Sequence, residues 1–254
     1  MAMVRRGGCS DEPGQWGIIS TPVISPANSC LYVDAITKGS YGDAAGVLNH
    51  RLHKLDLATG NEDAGSPVLV TGTSFVPGNE NQRPALLNAN GKIYVCFGSH
   101  CDSTPANGRI FAFDAGTLAK TNEFDPSVPG GSASLDLIWQ SGQGPAADSS
   151  GNLYFYTGNG TWDGVNNFAM TVFKMSPTLG LSSWFTPNDY ANLNNNDEDL
   201  SSGGCMVMPG TGYIVGGGKN RQNLRPESRF PRGSQFWRCE RNPSVSGHIF
   251  QLRI

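Results

Sequence analysis

The chain has 254 residues, 38% hydrophobic and 15% charged, with 33 Gly, 16 Pro and a formal net charge of −3. That length suits one large all-β domain or two small ones, and the Gly and Pro content favours short strands joined by turns over helices. The negative balance argues against nucleic acid as a partner of the whole chain, and no apolar run reaches the roughly 18 residues of a membrane helix.

Residues 1–15 read as an N-terminal lead. The start is basic, Met1 to Arg6, but no apolar core follows, so no signal peptide is expected. From Trp16 onward one phrase recurs. The pairs Thr21-Pro22, Arg83-Pro84 and Gly144-Pro145 stand 62 and 61 residues apart. After each Pro come an apolar strand, a turn rich in Asn, Asp, Ser and Gly, and a second strand that reaches Tyr32, Tyr94 or Tyr154. A third strand with alternating apolar residues follows at 51–56, 109–114 and 170–175, and a fourth near 67–70, 121–124 and 181–185. No helix-period stripe is present.

Four antiparallel strands at a constant period describe a β-propeller blade. One such sheet cannot bury both its faces, so neighbours must stack. The expected fold is all-β: a partial β-propeller of about three and a half four-stranded antiparallel blades. The blades are 16–75, 76–135, 136–190 and a partial 191–219. The fourth copy runs from Gly203 through Tyr213 to Lys219, and then its third strand fails to appear. Residues 219–254 carry eight Lys or Arg against two Glu, whereas the preceding part has an acidic balance. Two readings of 220–254 stand side by side. One is an aberrant tail created by a one-nucleotide frame shift, since permitted codons for Asn220 to Ser228 read one base later give Thr-Gly-Arg-Thr-Tyr-Val-Leu-Asn. The other is a genuine basic tail for an acidic partner. In either case the residues after about 220 are expected to be poorly organised or unrelated to the blades.

The connections are unequal. Those between strands one and two, and three and four, are short in every copy. Long segments fall at 34–50, 98–108 and 157–169 within blades, and at 71–83, 125–144 and 186–203 between them. A meander puts all the long ones on one face, the usual binding face of a repeat array. The polar residues able to do chemistry fall there. His100, Asp102 and Asp163 are the candidate catalytic groups, with His100 or a carboxylate as general base. Gln82, Arg83 and Trp162 are the candidate substrate contacts. Glu80, Asn159, Asp163, Asp197 and Asp199 are the candidate metal ligands. Oxygen donors with few thiols or imidazoles suit Ca²⁺ better than zinc or copper. His53 sits inside a strand at an alternating position, which favours packing or hydrogen bonding. The six cysteines contain no Cys-x-x-Cys and read as buried free thiols or as one or two disulfides.

The phrases Trp16-Gly-Ile-Ile-Ser-Thr-Pro-Val-Ile24, Arg51-Leu-His-Lys-Leu-Asp-Leu-Ala-Thr-Gly60, Asn81-Gln-Arg-Pro84, Ser99-His-Cys-Asp102 and Gly158-Asn-Gly-Thr161 resemble those of PQQ-repeat-like, quinoprotein-type bacterial β-propellers over about residues 16–219. The resemblance implies a propeller of seven or eight blades, of which this chain is about half, and relatives that are exported to the periplasm or beyond. Quinoprotein dehydrogenases also carry adjacent cysteines near the quinone, and this chain has no Cys-Cys pair, so PQQ is not expected as a cofactor. The concrete functional expectation is a Ca²⁺-assisted hydrolase of esters or lactones acting on a small molecule. The alternatives are a non-catalytic ligand- or protein-binding scaffold and a PQQ-dependent oxidoreductase remnant. Open blade edges are expected to favour self-association, and neither nucleic acid nor membrane is an expected partner.

Overall fold

A computed structural model describes residues 16–102, 105–127 and 135–219, together with the backbone of two strands at 238–239 and 250–253. Blade 1 contains β1 (Val23–Ser25), β2 (Cys30–Lys38), β3 (Leu48–Asp56) and β4 (Val68–Leu69), paired in that order. Blade 2 contains β5 (Glu80–Asn81), β6 (Leu87–Ala89), β7 (Lys92–Ser99), β8 (Arg109–Asp114) and β9 (Lys120–Phe124). Both β5 and β6 pair with β7, so they are one inner strand interrupted at 82–86. Blade 3 contains β10 (Ala146–Ala147), β11 (Leu153–Tyr156), β12 (Val172–Met175) and β13 (Leu181–Phe185). Blade 4 contains β14 (Cys205–Met208), β15 (Tyr213–Gly216), β16 (Arg238–Cys239) and β17 (Phe250–Arg253), in the spatial order β14-β15-β17-β16.

Alternation along the strands sends successive side chains to opposite faces, and in blades 2 and 3 both faces are apolar because each meets another blade. Tyr32, Leu52 and Val70 of blade 1 pack on Ile93, Val95, Phe97, Phe111 and Phe113 of blade 2. Tyr94, Cys96, Ile110 and Ala112 leave the other face of blade 2 and meet Leu153, Phe155, Phe173 and Met175 of blade 3. Tyr154, Tyr156, Val172 and Phe185 then meet Cys205 and Ile214 of blade 4. Each large apolar side chain removed from water contributes roughly 1.5–3 kcal/mol, and the repeated tyrosines add a polar tie. The Tyr32 hydroxyl donates to the Ala115 carbonyl at 2.5 Å, and that of Tyr94 donates to the Pro177 carbonyl at 2.8 Å.

The inner strands converge. Leu86 N donates to Thr21 O at 3.1 Å and Ala85 N to Gln143 O at 3.0 Å, which joins blades 1, 2 and 3 along the inner edge. Gly144 permits the second contact, since a Cβ there would stand 2.6 Å from Ala85 O. The segment 135–138 runs as a spoke between blades. Gly108 N and Gly158 N donate to Leu135 O and Leu137 O, both at 2.7 Å.

Several expectations need correction. β2 and β7 run on to Lys38 and Ser99, into segments read as loops, because Ala35, Ile36 and Thr37 continue to pair with Arg51, His50 and Asn49. The link 71–83 contains β5, and the link 186–203 contains a helix, α1 (Tyr190–Asn195). At six residues, burying only Leu193, α1 is too short to write a stripe in the sequence. The missing third strand of blade 4 is supplied by β17, with Tyr213 opposite Arg253 and Gly216 opposite Phe250. Residues after about 220 are expected from the sequence to be poorly organised or unrelated to the blades; of them, β16 and β17 pair within blade 4. The rest of the tail, and with it the frame-shift question, lies outside the described residues, as does the lead 1–15.

Candidate functional site

The two ends of the blades differ in chemistry. On the short-turn face, Asp56 and Asp114 close matching turns. Asp56 Oδ1 accepts from the Thr59 amide at 2.8 Å, and Asp114 Oδ1 from the Thr117 amide at 2.8 Å. The opposite face carries the long loops and every candidate site residue, and the structure divides those residues among separate settings.

His100 follows β7 and is buried, stacked face to face on Trp16 with ring centroids 3.7 Å apart. Asp102 is exposed in a turn where Cys101 and Asp102 have φ of 51° and 47°. Asp163 is exposed and closes its own loop. Its carboxylate accepts from the amides of Val165, Asn166 and Asn167 at 2.8, 2.8 and 3.0 Å and from Asn167 Nδ2 at 2.7 Å. Those donors hold its pKa far below the usual carboxylate range. The catalytic trio is thus one imidazole under an indole, one turn carboxylate and one loop cap. The other described histidines are structural: His50 Nδ1 lies 2.7 Å from Asp34 and His53 Nδ1 lies 2.5 Å from Glu62. Cys30, Cys96 and Cys205 are buried free thiols, and Cys101 is disulfide-bonded.

Three of the five candidate metal ligands do gather. Asn159 donates through its side chain to Asp197 at 2.8 Å and through its backbone to Asp199 at 3.2 Å. Gly158 allows this approach, because a Cβ there would stand 2.5 Å from Asp199 Oδ1. The cation among them is Lys219, whose Nζ lies 3.0 Å from Asp197 and 2.7 Å from Asp199. Glu80 and Asp163 belong elsewhere, and no cluster of three or more His, Cys, Asp or Glu with metal-ligand geometry occurs among the described residues. The donor set does not fit a single calcium centre.

Glu80 belongs to a buried acidic network that the sequence did not signal. Arg109, 1% exposed, lies 3.9 Å from Glu80, 3.4 Å from Glu123 and 3.0 Å from Asp125. Burial outweighs the attraction of Arg109 and pushes the Glu80 carboxyl up to about 8. Asp125 is raised for the same reason. Asp136, on the spoke, accepts from Ser127 Oγ at 3.0 Å and from the Phe168 amide at 2.9 Å, and burial pushes it up to about 8.

The substrate-contact candidates also separate. Trp162 packs on Tyr190 at 4.4 Å and donates to Thr186 at 3.0 Å, beside the outermost strand of blade 3. Gln82 and Arg83 occupy the break in the inner strand of blade 2. Gln82 Nε2 donates to Pro84 O at 2.6 Å and Cys96 O at 3.3 Å, and its Oε1 accepts from Ser20 Oγ, so the side chain bridges the gap in the ladder. Arg83 lies over the indole of Trp139, 5.3 Å from the ring centroid. Trp139 was missed, although the register holds a signal: Trp16 and Trp139 both stand six residues before the repeat proline.

Four stacked antiparallel sheets with converging inner strands make this chain a β-propeller. No protein-family model and no curated protein matches the sequence. Among solved structures the chain is similar to the quinohemoprotein alcohol dehydrogenase ADHIIG of Pseudomonas putida HK5. The identity is 15% and the TM-score 0.51, over 81% of this chain and 39% of that one. A europium-containing methanol dehydrogenase aligns at 14% identity and TM-score 0.49, over 87% of this chain and 50% of that one. The quinohemoprotein alcohol dehydrogenase of Comamonas testosteroni aligns at 15% and 0.47, over 81% and 40%. The likeness shows a β-propeller fold, and the chain spans half or less of the length of these enzymes.

Proposed function

We propose that this chain is a ligand-binding segment of a β-propeller, with its binding surface on the long-loop face. One observation carries the reading: the ammonium of Lys219 fills the cluster formed by Asn159, Asp197 and Asp199. Calcium-assisted hydrolysis of an ester or lactone asks those oxygens to converge on a metal, with a base held toward the scissile carbonyl. Here the carboxylates are committed to Lys219, to Arg109 and to a loop cap, and His100 is committed to Trp16. Groups fixed in this way make a rigid, preorganised surface, which favours binding by lowering its ordering cost.

The test is an activity panel of esters and lactones with EDTA or added Ca²⁺, and of alcohols with added PQQ. The expected outcome is no chelator-sensitive hydrolysis and no quinone-dependent oxidation. Chelator-sensitive turnover that disappears in Asp199→Asn would overturn the reading in favour of the hydrolase.

A further inference from the structure

The geometry points to Arg83 and Trp139 as an anion-binding site, built for the carboxylate or phosphate group of a small molecule. This rests on the binding reading above and gives it a ligand class. In a chain of net charge −3, a half-buried arginine ordinarily has a carboxylate partner. Arg83 has none among the described residues: its amide donates to Asn81 O at 2.9 Å, but its side chain makes no hydrogen bond to them. Its Nε is buried without an acceptor, and its contact is the face of Trp139. The two terminal nitrogens are left for a ligand. A guanidinium presents a planar fork of donors that matches a carboxylate or phosphate, and an aromatic face beneath it keeps the fork in place.

The surroundings fix that fork. Gln82, just before it, is pinned to blades 1 and 2 through Ser20, Pro84 O and Cys96 O. Pro84, just after it, restricts the backbone of Arg83 itself. Trp139 packs against Gly98, where a Cβ would stand 3.1 Å from Trp139 Cε3 and 3.2 Å from Ile138 O. The turn after Trp139 is strained, with φ of 37° at Gln140 and 34° at Ser141. Strain of this kind in non-glycine residues collects at ligand clamps. The repeat register adds a comparison. The pre-proline positions in the three blades are Thr21, Arg83 and Gly144. Thr21 donates to Gly142 O at 2.9 Å, and Gly144 makes room for Ala85 O, so two of the three serve the scaffold. The third carries a charge that the scaffold does not use.

The experiment titrates the protein calorimetrically with acetate, benzoate and inorganic phosphate at constant ionic strength, comparing the parent with Arg83→Gln, Arg83→Lys and Gly98→Ala. Saturable binding of at least one probe is expected, about tenfold or more weaker in Arg83→Gln and intermediate in Arg83→Lys, which keeps the charge and loses the fork. Gly98→Ala displaces Trp139 and weakens binding with Arg83 intact. The thermal transition of Arg83→Gln should stay close to the parent's, because no side-chain hydrogen bond is lost and only the contact with Trp139 is given up. Which probe binds separates carboxylate from phosphate recognition. The site is refuted if no probe saturates, or if Arg83→Gln binds as the parent does. Failure of the binding reading would appear separately, as chelator-sensitive turnover with the anion titration unchanged.

Discussion

Asp136 lies inside the protein with one carboxyl oxygen hydrogen-bonded and the other buried without a partner. Burial raises its pKa from an ordinary value near 3.8 to about 8, and raises Glu80 from 4.5 to about 8. Below roughly pH 4 both groups are protonated folded or unfolded, and their contribution is fully present. As pH rises toward 8 the unfolded chain releases these protons and the folded chain keeps them, so stability falls across that window. Asp43, Asp56, Asp63, Asp114 and Asp163 are shifted the other way by hydrogen bonds and, for Asp43 and Asp63, by a basic partner; they withdraw stability as pH drops below about 4. Thermal unfolding followed against pH should therefore show a maximum near the ordinary carboxylate pKa and a decline up to about pH 8. Asp136→Asn should flatten the decline by its share. An unchanged slope in that variant would mean that Asp136 does not hold its proton in the folded state.

At the level of single strands, close packing between neighbours is the most exacting constraint. Gly216 of β15 lies against Tyr156 of β11, and a Cβ at that position would overlap the phenol ring. Gly216→Ala should lower stability by about 1–3 kcal/mol, seen as a lower denaturant midpoint with an unchanged slope. Combined with Tyr156→Ala its effect should be less than additive, because the two share one contact. The same scale explains what was legible in the sequence. β8 and β13 could be placed at 109–114 and near 181–185, because turn residues mark their ends: Ala115-Gly-Thr after β8 and Ser176-Pro-Thr-Leu-Gly before β13. β5 could not, since Glu80-Asn81 is too short to show a period and owes its pairing to Gly98 and Ser99. The long-loop face could be assigned from connection lengths alone. The partners within it could not: Lys219 lies 20 residues beyond Asp199, and Arg109 collects three acids from two separate segments, Glu80 from one and Glu123 and Asp125 from the other. Such pairings are decided by how blades stack, which spacing along one blade does not encode.

Across the whole molecule, each blade leans chiefly on the next, as in other repeat arrays. The hydroxyls of Tyr32 and Tyr94 give that dependence a fixed dimension. Each reaches the backbone of a turn in the following blade, at Ala115 between β8 and β9 and at Pro177 between β12 and β13. The length of those turns is therefore gauged by a neighbour. On the other face the loop around Val165, which is 73% exposed, reaches beyond its blade only near its base, at Asn159 and Gly160. A few Gly and Ser residues inserted after Val165 should lower the melting temperature only by the loss of the exposed Asp163 loop cap, whereas the same insertion after Ala115 should lower it more, because it disturbs a contact between blades. In evolutionary terms the chain has one end where length is free to drift and one where it is not. New specificities can be written by lengthening the first without renegotiating the angle between blades.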